Sequence, residues 1–94
     1  MIWCVEDDAS ILDIEVYTLR STGFQAQGFA DGGAFWSALE SARELPELVV
    51  LDVMLPDMDG FTLCQRIRED HLFPIIMLTA RSEDADKLMG FACG

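Results

Sequence analysis

Leu48-Val49-Val50-Leu51-Asp52 is an unbroken apolar run that stops on a carboxylate. Four aliphatic residues without polar alternation suit a β-strand buried on both faces, as in parallel sheets. The same grammar repeats outward from this stretch. Ile2-Trp3-Cys4-Val5 is a second such run, followed at once by Glu6-Asp7-Asp8, and residues 74–78 form a third, followed by Thr79. Residues 24–29 read as a weaker, more polar strand nearer an edge.

Helical patterns separate these strands. Residues 9–22 carry Ile11, Leu12, Ile14, Val16 and Leu19 as apolar surface, with Gly23 as a stop. Asp31-Gly32 opens a second helix to residue 42, with Phe35, Trp36 and Leu39 buried. Residues 61–70 place Leu63, Cys64 and Ile67 at core spacing. A last helix is expected from Ser82, with Glu83 and Asp84 in its first turn and Ala85, Leu88, Met89 and Ala92 on one face.

Four β-α units in strict alternation predict an α/β fold with a doubly wound parallel sheet. Right-handed crossovers bring the loops after all strands to one edge. Such sheets bind ligands outside the carboxyl ends of their strands. The residues ending the three apolar strands are Glu6-Asp7, Asp52 and Thr79, so two chain-distant acidic groups and a hydroxyl are expected to converge there.

Convergent carboxylates repel, and burying them is costly unless something compensates. A hard divalent cation such as Mg²⁺, which takes carboxylate, water and phosphate oxygens, is the natural compensation. An ionised Asp beside such a metal is a competent nucleophile, and aspartyl phosphate is a known covalent intermediate. The metal screens an anionic phosphodonor. Thr79 is placed to donate its hydroxyl to a phosphoryl oxygen.

Composition sets the bounds. Ninety-four residues, 51% hydrophobic and 24% charged, make one globular domain. No apolar run approaches the roughly 20 residues that span a bilayer, and no basic segment precedes the first apolar run, so the expected location is cytoplasmic. A formal charge of −11 disfavours nucleic acid and anionic membranes as direct partners. Three cysteines without CxxC pairing are expected as free thiols, Cys4 and Cys64 packed as small hydrophobes.

Val-Glu-Asp-Asp at 5–8, Leu-Asp-Val-Met-Leu-Pro-Asp-Met-Asp-Gly at 51–60 and Pro-Ile-Ile-Met-Leu-Thr-Ala-Arg at 74–81 resemble the three signature segments of response-regulator receiver domains of bacterial two-component systems. The likeness is strongest to receivers of winged-helix transcription regulators. It implies a flavodoxin-like, three-layer αβα fold with strand order 2-1-3-4. It implies Asp52 as phosphoacceptor, and Glu6, Asp7, Asp52 and the backbone carbonyl of Met54 as ligands of Mg²⁺, with Mn²⁺ as a substitute. Thr79 is implied as the switch hydroxyl and Ala80 as the small neighbour that leaves access to the acyl phosphate. The implied partners are a sensor histidine kinase and an output domain, or a second receiver.

Members of that family continue through a fifth strand and helix carrying a switch aromatic and a Lys. Neither role can be given to a residue here, since Lys87 falls on the expected last helix. The expectation is therefore a receiver lacking its fifth β-α unit, with strand 74–79 as an exposed apolar edge that leads to weak stability or to self-association.

Duller and rival readings accompany each residue. Asp8 is expected to cap the first helix, Asp57 and Asp59 to shape their loop, His71 to lie at the surface, and Trp3 and Trp36 to serve packing. Asp57-Met58-Asp59-Gly60 also resembles the nucleophile motif of haloacid-dehalogenase-type phosphatases, although the strand ends five residues before Asp57. An EF-hand starting at Asp57 fails, because it places Thr62 where Gly is required and Arg68 where Glu is required. A receiver-like interaction module that works without phosphorylation is a further alternative.

Overall fold

The computed structural model describes residues 1–53, 55, 57, 59–79 and 89–92, with backbone alone at 79 and 89–92. The order is β1 (Ile2–Val5), α1 (Ala9–Ser21), β2 (Ala26–Phe29), α2 (Gly32–Ser41), β3 (Leu48–Asp52), α3 (Gly60–Asp70), β4 (Ile75–Thr79) and β5 (Met89–Ala92). Four strands pair in parallel in the expected order, β2-β1-β3-β4.

Alternation along the strands sorts the layers. Val49 and Leu51 of β3 are fully buried, whereas Leu48, Val50 and Asp52 are half-buried. The first set joins Trp3, Val5, Phe29, Ile75 and Met77 in one core with Phe35 and Leu39 of α2 and Leu63, Cys64 and Ile67 of α3. Trp3, Phe29 and Phe35 meet there with ring centroids 5.1–6.0 Å apart, in the tilted and edge-on geometries that aromatic quadrupoles favour. On the opposite face α1 packs over β1 and β2, and Gly28 leaves room for Leu12: a Cβ there would stand 2.9 Å from its side chain. The layers are therefore α1, the sheet, and α2 with α3.

Helix ends follow the sequence signals. Asp8, Asp31 and Asp59 cap α1, α2 and α3, each accepting backbone N–H groups of the first turn. α1 closes at Thr22, with Gly23 at φ 99°, a left-handed conformation that glycine adopts without strain. α1 itself contains no fully buried residue, and Ile14 and Tyr17 are largely exposed, so the apolar role expected of Ile14 is not taken up. Trp36 packs against the core and His71 stacks on Phe73.

Three expectations are corrected. Met89 and Ala92, expected on the last helix, lie in β5, which pairs antiparallel with β4 from Ile76↔Ala92 to Thr79↔Met89. Gly90 in this segment disfavours a helix interior by about 1 kcal/mol, and pairing satisfies the backbone groups that β4 would otherwise expose. The sheet therefore has a fifth strand, although not a parallel β-α unit. Consequently β4 is not an edge, and the self-association expected through 74–79 loses its basis; the edges are β2 and β5. Residues 80–88 lie outside the described residues. Cys4 is a buried free thiol as expected, but Cys64, equally buried, is disulfide-bonded.

Candidate functional site

Parallel register builds the site. Val5 is the partner of Leu51, so the residues that follow them, Glu6 and Asp52, leave the sheet side by side at its carboxyl edge. Alternation puts both on the α1 side, away from the main core. Carboxylate oxygens of Glu6, Asp7 and Asp52 all lie within 4.8 Å of one another. Glu6 and Asp52 are half-buried and Asp7 is exposed, so the cluster is open to solvent on one side.

The electrostatics of this crowding are legible in Glu6. Burial foremost, then the hydrogen bond and charge of Asp52, push its carboxyl up to about 8, against a weaker opposing hydrogen bond from the Asp8 N–H at 3.2 Å. Glu6 therefore keeps a proton to higher pH than an ordinary glutamate, and a bound cation would compete with it. The donor set is all oxygen, which suits a hard cation such as Mg²⁺.

A residue not selected from the sequence stands beside this cluster. Glu15 of α1 has a carboxylate oxygen, Oε1, that is shielded from solvent and has no hydrogen-bond partner among the described residues. Burial and then the charge of Asp52 push its carboxyl up to about 7. Its charge in turn adds to the burial that raises the Cys4 thiol to about 12. The signal was present: Leu12, Glu15 and Leu19 recur at i, i+3 and i+7, so a carboxylate interrupts the sheet-facing stripe of α1.

The backbone around Asp52 is tightly fastened. Val53 N–H donates to Leu78 O at 3.1 Å, and Gly60 N–H donates to Val53 O at 2.8 Å, closing the loop. Gly60 has to be glycine: a Cβ there would stand 2.5 Å from Asp52 O and 2.8 Å from Val53 Cα. Asp57, the nucleophile of the phosphatase reading, accepts the N–H of Gly32 at 3.0 Å and of Gly33 at 2.8 Å. Asp59 accepts the N–H of Phe61 at 2.9 Å. Both aspartates thus shape the loop and its neighbours, as expected. Thr79 ends β4, next to Leu78, the partner of Asp52; its side chain, and Met54 and Ala80 entirely, lie outside the described residues.

Comparison with known proteins assigns this geometry to a family. The family model for the response regulator receiver domain matches residues 2–94. The chain belongs to that family. Among curated relatives, the receiver is 47% identical over 90 residues to the regulatory protein VanRc of Enterococcus gallinarum, covering 96% of this chain and 38% of that protein. It is 41% identical over 95 residues to the transcriptional regulatory protein CreB of Escherichia coli, covering 99% and 40%. The chain thus spans about two fifths of the length of these relatives. Among solved structures, the BeF3-activated N-terminal receiver domain of Klebsiella pneumoniae RstA superposes with a TM-score of 0.77 at 33% identity, covering 90% of this chain and 71% of that one. TrrA of Thermotoga maritima, solved in complex with Mg²⁺-BeF, gives 0.78 at 25% identity, covering 92% and 74%. Among the described residues no helix is long and apolar enough to cross a membrane.

Proposed function

We propose that this receiver accepts a phosphoryl group on Asp52 from a sensor histidine kinase, in a Mg²⁺-dependent transfer that controls an output domain outside the chain. The observation that carries the reading is the convergence of Glu6, Asp7 and Asp52 at the carboxyl ends of adjacent parallel strands. The Mg²⁺-BeF complex of TrrA and the regulator names of the relatives support it.

In the transfer, an Asp52 carboxylate oxygen attacks phosphorus and forms an O–P bond. The P–N bond to the kinase histidine breaks, and its electron pair stays on the imidazole. Glu6, Asp7 and Asp52, with the Met54 carbonyl, would hold Mg²⁺, which supplies positive charge against the phosphoryl oxygens. Glu6, whose carboxyl is raised by burial and by Asp52, would give up its proton in holding that ion. The family likeness assigns the hydroxyl contact with a phosphoryl oxygen to Thr79 and the small neighbouring position to Ala80. The phosphoryl group adds charge and acceptor oxygens, which redistributes the loops at this edge and the surface presented to the output domain.

The phosphatase alternative is disfavoured because both oxygens of Asp57 are engaged by α2. Acetyl phosphate with Mg²⁺, read by intact mass, tests the assignment. Wild type gains one phosphoryl mass, and Asp52→Asn gains none. A label that persists in Asp52→Asn refutes the site, and one lost only in Asp57→Asn favours the phosphatase.

A further inference from the structure

The sequence pair Gly32-Gly33 opens α2, although two glycines in a first turn each weaken a helix relative to Ala. The structure shows what stands against them. The first N–H groups of an α-helix have no partner within it. In α2 those of the first three residues are divided between two aspartates: the local cap Asp31 takes Ala34 N–H at 2.7 Å, and Asp57, more than twenty residues away, takes Gly32 and Gly33. A Cβ on Gly33 would lie 3.4 Å from Asp57 Oδ2, just at ordinary contact.

A helix start does not need this. Gly33 is exposed, and water serves an exposed N–H nearly as well. The bond matters more for the loop. Its two ends are pinned at Val53 and Gly60, and Asp57 ties its middle to a separate element. The bond is charge-assisted on both oxygens and lies at the positive end of the α2 dipole.

We propose that Asp57 is a positioning residue of the phosphoryl-accepting site: by latching onto Gly32 and Gly33 it holds the segment that follows Asp52 in the shape the metal site requires. The inference rests on the receiver reading above and adds to it a residue that touches neither metal nor phosphate. Its physical basis is the rigidity of Mg²⁺ coordination, which demands near-octahedral geometry. The segment that Asp57 fastens begins at Asp52 itself, against whose backbone Gly60 closes the loop. A released loop presents the Asp52 carboxylate in many positions and binds the ion less well.

The test is Mg²⁺ binding to the full chain by titration calorimetry, with far-UV circular dichroism recording that each variant is folded. Asp57→Asn replaces one accepting oxygen by an NH2 group that faces an N–H. Gly33→Pro breaks the latch from its other end by removing the donor, at a helix first turn that tolerates proline. Gly33→Ala keeps the N–H and serves as control. Asp57→Asn and Gly33→Pro each weaken Mg²⁺ binding by about tenfold or more, the range seen when the outer partners of metal ligands are lost. The double variant is no weaker than the worse single one, and Gly33→Ala binds as wild type does. If Asp57→Asn misfolds, the comparison of Gly33→Pro with Gly33→Ala decides alone. Wild-type affinity in both latch variants, with only a lowered melting temperature, makes Asp57 a structural cap and overturns the proposal. Equal weakening in Gly33→Ala and Gly33→Pro overturns it too. A wild-type chain that binds no Mg²⁺ overturns the receiver reading itself and the latch with it.

Discussion

Replacing Gly60 by Ala adds one methyl group at the most crowded point of the site. The new Cβ would stand 2.5 Å from Asp52 O, 2.8 Å from Val53 Cα and 3.2 Å from Asp52 C. Ordinary contact begins at 3.4 Å, so the first of these falls roughly 0.9 Å short. All three neighbours are backbone atoms, and no side chain can rotate away. Either the first turn of α3 or the end of β3 has to move, and the 2.8 Å bond from Gly60 N–H to Val53 O moves with it. Overpacking of this kind costs about 1–3 kcal/mol. Alanine returns at most about 1 kcal/mol of helix propensity, so the variant is expected to lose net stability. The larger effect falls on function, because a displacement of about 1 Å at a reacting group can reduce a rate on the order of 100-fold. Urea denaturation reads the first effect, and the initial rate of phosphoryl incorporation from acetyl phosphate, by intact mass, reads the second. An alanine variant with the wild-type midpoint and the wild-type rate would refute the close approach and the role assigned to Gly60.

Two further outcomes follow from the electrostatics and the caps. Glu6 and Glu15 titrate near 8 and 7 in the fold, above the 4.5 of a free Glu, so the folded chain binds more protons than the unfolded one across that window. Without Mg²⁺ the melting temperature should therefore fall as pH rises from 5 to 8, and Glu15→Gln should flatten the slope; a rise over that range contradicts both shifts. Asp8→Ala removes the acceptor of Ser10 and Ile11 N–H at 2.9 and 3.1 Å, which should lower stability by about 1 kcal/mol in urea titration while leaving Mg²⁺ affinity unchanged. Loss of metal binding in that variant would mean that Asp8 belongs to the site.

What could be read from the chain was whatever depends on strand periodicity. Three apolar runs ending on Glu6-Asp7, Asp52 and Thr79 imply a parallel sheet, and parallel register then brings Glu6 beside Asp52 without further information. The helix cap at Asp8 is local, and a local pattern shows it, whereas Asp31 was legible only as opening its helix and Asp59 only as shaping its loop. The misread parts depend on tertiary partners. Met89-Gly90-Phe91-Ala92 has apolar residues compatible with either period, and only the presence of β4 decides for a strand. Asp57 was recognisable as a loop-shaping residue, but nothing in its neighbourhood names Gly32 and Gly33 as its donors. Exposed Ile14 and buried Phe35 look alike in a helical pattern, because burial depends on which sheet face carries more cover.

Glu15 shows why the site could be located from sequence without its full electrostatics being foreseen. A carboxylate on the sheet-facing stripe of a helix is unfavourable by packing alone. In this fold that stripe lies on the same side of the sheet as Glu6 and Asp52, so the unfavourable group meets two others. Each raises the cost of ionising its neighbours, which adds to burial in shifting Glu6 and Glu15 upward. On the receiver reading a divalent cation would compete with the proton on Glu6, so its binding is expected to tighten as pH rises, which titration calorimetry at two pH values checks. The crowding expected to lower stability above neutral pH is thus the same cluster of oxygens that the receiver reading assigns to Mg²⁺.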